Sequence, residues 1–169
     1  MKPTEPLRLS LLAILLILVQ LTLWLMLPGW RAGIDLYIVF LLLVTAAYGP
    51  LIGGAFALAG GLIFDAPSAY FIAFHLIYYL LPVLIGSHLR AYMLVEYRVL
   101  GTVVIGLLIL GKALAQLSWG LLMGWLGSPW FLVRLNYWPL LILVVLIYLF
   151  WQPLIKLIHP AIEQRRSLV

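Results

Sequence analysis

From Leu9 to Leu27 the chain is apolar apart from Ser10, Gln20 and Thr22, and five more apolar stretches follow it. A bilayer's hydrocarbon core takes ~20 such residues per helix, each rising about 1.5 Å. Lipid supplies no hydrogen bonds, so runs of this kind must pair their own backbone as helices. A transmembrane barrel would alternate apolar and polar residues instead. Charged residues make up only 9% of the 169 and hydrophobic ones 66%. A soluble domain carries about a quarter charged residues, too many for this chain to match with a water-facing surface. The expectation is an all-α integral membrane protein with one polytopic domain.

The spans fall at about 9–27, 34–48, 51–64, 70–89, 99–126 and 137–157. Lys2 and Arg8 ahead of the first resemble a secretory signal. Its apolar run is longer than the usual 7–15 residues and no small-x-small cleavage site follows Leu27, so it reads as a retained helix. Pro28-Gly29 ends it, and Gly49-Pro50 separates the second span from the third. Those two are short enough to be re-entrant, and charge decides between the models. With six spans, Lys2, Arg8, Arg90, Arg98, Lys156, Arg165 and Arg166 lie on one side and only Arg31 and Arg134 on the other. The positive side is cytoplasmic. Both termini are therefore expected on the cytoplasmic side of the membrane. The net charge of +5 suits anionic lipid rather than nucleic acid. Trp24, Trp30, Trp125, Trp130 and Trp138 then fall near the outer interface. Pro82 inside the fourth span predicts a kink.

Few residues suggest chemistry. Cysteine is absent, which excludes disulfides, thiolate metal sites and cysteine nucleophiles. No zinc-protease, phosphate-loop or serine-nucleophile motif occurs, so no catalytic, metal or cofactor residues are assigned and no enzyme is expected. Gly49, Gly53, Ala57 and Gly61 recur every four residues, one small-residue face along the third span. Such faces let helix backbones approach closely, either within the protein or against a partner's helix. Asp35 opens the second span and Asp65 closes the third, both at the outer end. Interfacial solvation or helix capping accounts for them, Asp65 serving the following helix. Lys112 sits mid-span, where a charge costs at least ~2.5 kcal/mol and must face protein or water or snorkel. Gln116, Gly120 and Gly124 continue its face as a polar seam with a close-packed end. A lone cation without a mid-span carboxylate makes a poor relay, so its charge is expected to be structural. His75, Tyr78, Tyr79 and Pro82 share a face of the fourth span and predict a packed, hydrogen-bonded cluster.

A Leu-rich first helix, Asp35-Leu36 opening a second, a Gly49-Pro50-x-x-Gly53 third helix ending in Asp65, and a small-residue turn together resemble MreD, the rod-shape-determining membrane protein family of bacteria. The likeness is strongest from Asp35 to Leu89. Asp65 and Ser68 match the family's Asp-x-x-Ser-Gly-x-x-x-Gly, while Ala69 and Ala73 stand where glycines are usual. The resemblance implies six helices similar to the S components of vitamin transporters. It also implies a non-catalytic place in the peptidoglycan elongation complex of the lateral cell wall. Its partners there would be a single-span MreC-like protein, the MreB filament and the wall synthase. The rival expectation is a small-molecule-binding S-component-like transporter subunit. Those proteins dock through Ala-x-x-x-Ala on the first helix, a register held here by Leu9, Ala13 and Ile17.

Overall fold

The computed structural model describes residues 4–26, 35–66, 73–88, 98–122 and 138–158. Among them every element is helical: α1 Thr4–Met26, α2 Leu36–Tyr48, α3 Pro50–Asp65, α4 Phe74–Tyr78, α5 Leu80–His88, α6 Arg98–Leu122 and α7 Trp138–Ile158. Over Glu5–Met26, α1 is long and apolar enough to cross a membrane; α2, α3, the α4–α5 segment and Leu100–Gln116 of α6 are shorter apolar helices.

The arrangement is set by α2, whose 13 residues are apolar on every side but for Thr45. A helix without a polar face is stable only when enclosed, and here Tyr37 through Ala47 are all buried. α1, α3, α5, α6 and α7 pack around it. α1 turns Leu9, Ala13, Ile17 and Gln20 inward, spaced four, four and three apart, and leaves Leu11, Leu15 and Leu18 exposed. Helices α6 and α7 pack chiefly on each other and meet the remainder mainly through α2.

Gly49 makes the turn from α2 to α3 in a single residue. Its φ of 98° with ψ of 171° is open only to glycine. Its N–H donates to the Thr45 carbonyl at 2.8 Å, and Pro50 starts α3 at a position where no N–H is needed. Gly49 therefore serves the turn, and the packing face begins one helical turn later. There Gly53, Ala57, Gly60, Gly61 and Phe64 are buried, while Leu51 on the opposite side is 87% exposed.

In the fourth span α4 begins at Phe74, after Ala73, whose backbone is left-handed, φ 63°; residues 70–72, where the span was expected to start, lie outside the described residues. Pro82 has no N–H for the Tyr78 carbonyl and its ring crowds that turn. The expected kink takes the form of an interruption at Tyr79, between α4 and α5.

One end of the bundle gathers three chain segments. Arg8 of α1 donates to the Leu157 carbonyl, and the Tyr48 hydroxyl donates to that of Ile158 at 2.8 Å. These are last-turn carbonyls that α7 cannot satisfy itself. The start of α1, the end of α2 and the end of α7 thus share one end.

Candidate functional site

Asp35 is the residue on which the interior polar groups converge. As N-cap of α2 it accepts from the Ile38 N–H at 3.1 Å through Oδ1. The Tyr79 hydroxyl donates to its Oδ2 at 3.2 Å. Lys112, arriving from α6, donates its ammonium to the same carboxylate. Both charged side chains are 0% exposed. The sequence leaves Lys112 without a carboxylate, and the structure corrects this: Asp35 is the expected helix cap, but it is buried and paired with the lysine rather than solvated.

Aromatic rings complete the surroundings. The Lys112 Nζ lies 5.1 Å from the Trp24 ring centroid and 5.8 Å from that of Tyr79, within the range of cation–π attraction. Trp24 packs on Phe64 at 5.2 Å and on His75 at 5.7 Å. Gln20 is wholly buried and accepts from the Tyr37 N–H at 3.1 Å, satisfying a second free donor at the start of α2. The Tyr37 hydroxyl reaches the Phe56 carbonyl of α3 at 2.8 Å, its ring lying over Gly60.

A second polar group adjoins the first. Asp65, at the end of α3, accepts from the backbone N–H of His75 at 3.0 Å and of Leu76 at 3.0 Å, and from the His75 Nδ1 at 2.8 Å. It caps α4 from a neighbouring helix, a role that Ala73 has no side chain to play. The left-handed backbone at Ala73 is also the physical reason a glycine suits that position. Ala73→Gly should raise the stability of the folded protein by about 1 kcal/mol, the relief of that backbone outweighing the greater freedom of the unfolded chain. A denaturation midpoint in detergent that fell instead would show the strain to be absent.

Of the residues singled out from sequence, Lys112, Asp35, Asp65 and His75 are brought together. Gln116 is half-buried one turn beyond Lys112. Tyr78 leaves the cluster and donates to the Leu108 carbonyl of α6, against Gly111. Gly120 lies in α6, but its surroundings and Gly124 fall outside the described residues. Sequence reasoning missed Gln20, Trp24 and Tyr37. A signal existed for the first two: they extend the Leu9, Ala13, Ile17 face of α1. No group of three His, Asp or Glu able to hold a metal occurs among the described residues. Chemically, the site neutralises a buried cation within the chain and ties four helices together. No protein-family model, curated protein or solved structure matches the chain.

Proposed function

We propose that the chain is a non-catalytic, six-span scaffold subunit of the bacterial inner membrane. In this reading it is an MreD-like component of the machinery that elongates the lateral wall and binds an MreC-like single-span protein. One observation carries the choice of scaffold over carrier: Lys112, the cation inside the fifth span, is already neutralised by Asp35 and enclosed by Trp24 and Tyr79. So paired and enclosed, the cation has no open face for a cargo in this structure.

Two further features support the membrane setting. The exposed residues of the helices include Leu11, Leu15, Leu18, Leu58, Leu62, Leu107, Leu114 and Leu149, while the charges of Asp35 and Lys112 are buried. Water-soluble proteins rarely expose apolar surface on that scale. The sharing of one end by Arg8 and the last turn of α7 fits both termini on one side. The S-component alternative has less behind it. The register in which those proteins carry their docking alanines is occupied by Leu9, Ala13 and Ile17, and all three are buried.

The experiment is depletion and replacement in a rod-shaped bacterium that carries the chain. Depletion should round the cells. Rescuing copies with reporters after Arg31, Ser68, Arg98, Arg134 and Val169 should read out, out, in, out and in. An outward Val169 contradicts the six-span arrangement, and rods that keep their shape on depletion contradict the scaffold role.

A further inference from the structure

The chamber around the Lys112 ammonium is built almost wholly by other parts of the chain. Asp35 comes from the start of α2, Trp24 from α1 and Tyr79 from the break between α4 and α5. Each is fixed without Lys112. The Asp35 carboxylate is aimed by the Ile38 N–H at 3.1 Å and the Tyr79 hydroxyl at 3.2 Å. The Tyr79 ring packs on Tyr37 at 5.3 Å and Phe64 at 5.7 Å. The Trp24 ring packs on Phe64 at 5.2 Å and His75 at 5.7 Å. A carboxylate flanked by two aromatic faces is the chemistry that recognises an alkylammonium. Lys112 enters it from α6, whose other contacts with the α1–α5 body run mainly to α2.

We infer that Asp35, Trp24 and Tyr79 form a binding site for a primary alkylammonium, which Lys112 occupies as a ligand tethered to α6. Beside the packing on α2 and the hydrogen bonds from Arg8, Tyr48 and Tyr78, the α6–α7 pair is held to the rest of the bundle through this occupied site. Between helices in lipid, where no hydrophobic force drives association, such a contact carries unusual weight. The site outlasts removal of the tether, because its walls are held by one another. It then accepts a free amine in place of the lysine.

The test uses Lys112→Ala and n-propylammonium, which reproduces the atoms from Cγ to Nζ that the substitution removes. The full-length variant is extracted and purified with the amine present throughout. Its unfolding midpoint should rise with amine concentration, by about 3 °C or more near saturation. Propan-1-ol, of the same length but neutral, should give no comparable rise. Wild type, whose site is filled, should not respond, and Asp35→Asn/Lys112→Ala should lose the response. A midpoint that moves equally with propan-1-ol, or with neither compound, overturns the inference. If Lys112→Ala does not fold in either case, Lys112→Cys provides the second arm, its cysteine being the chain's only one. Alkylation of the unfolded chain with 2-bromoethylamine rebuilds a lysine-length ammonium, and with 1-bromopropane a neutral equivalent. Only the first should recover folded protein on refolding; equal recovery from both, or from neither, overturns the inference as well.

Discussion

Gly61→Leu is expected to abolish the folded protein. A Cβ placed on Gly61 would lie 2.5 Å from the Leu76 Cα, 2.9 Å from the Leu76 nitrogen and 3.3 Å from the His75 carbonyl carbon. All three are backbone atoms of α4, so no side-chain rotation makes room. Helices α3 and α4 would have to separate, and that would pull Asp65 off the N–H groups of His75 and Leu76. Loss of close packing and of a cap together put the cost at about 4 kcal/mol or more. Gly53→Leu should also fail, since its Cβ would overlap the Thr45 hydroxyl and lie 3.2 Å from the Thr45 Cα. The neighbouring Gly54 separates this account from a general intolerance of the helix. Nothing lies within 4 Å of a Cβ there, so Gly54→Ala should stabilise by the helix-propensity difference of about 0.8 kcal/mol. Folded yield and monodispersity in detergent measure all three. A normal yield of Gly61→Leu would mean that the α3 face does not contact α4.

The second large effect is expected at the buried ion pair. Asp35→Asn strands the Lys112 ammonium among rings and aliphatic side chains, and Lys112→Met strands the Asp35 carboxylate. Removing one member of a buried pair costs about 3–5 kcal/mol, because the other charge stays without compensation. The single change at Lys112, harmless if the lysine had no carboxylate partner, is thus expected to be severe. Removing both is different. In Asp35→Asn/Lys112→Met neither charge remains, the amide can still accept from the Ile38 N–H, and the methionine keeps most of the lysine's volume. The double variant should recover most of wild-type stability, giving a coupling of more than about 2 kcal/mol across the cycle. Unfolding midpoints of the four proteins decide it. Additive losses would show that the two charges do not sense each other.

The helices and their breaks were legible because their causes are local. Apolar runs mark α1, α2 and α3; Gly49-Pro50 marks the turn; Pro82 marks the interruption of the fourth span. The small-residue face was legible from its four-residue period, although the period could not show that Gly49 belongs to the turn. The ion pair was not legible, since Asp35 and Lys112 are 77 residues apart and no periodicity links α2 to α6. A charge inventory could have narrowed the choice. The chain has five acidic residues, Glu5, Asp35, Asp65, Glu96 and Glu163, and of these only the two aspartates adjoin an apolar span at its predicted outer end. What hid Asp35 was its reading as an interfacial cap, whereas it caps α2 and is wholly buried.

The proposed scaffold role rests on a partner. In the proposed six-span arrangement the connections are short in sequence and would leave little soluble surface, so recognition would come from helix packing in the membrane. The Gly53–Gly61 face is consumed by α2 and α4, where Thr45 and Leu76 already fill it. That leaves the Gly120 and Gly124 pair of the sequence, the first in α6 and the second outside the described residues, as the proposed groove for a single partner helix. The decisive measurement is affinity purification of the full-length chain from its native membranes under mild detergent, beside a folded Gly120→Ile/Gly124→Ile variant. The proposal expects a stoichiometric single-span MreC-like protein with wild type and its loss from the variant. An undiminished complex in the variant moves the contact elsewhere, and wild-type membranes that yield no such partner contradict the scaffold function itself.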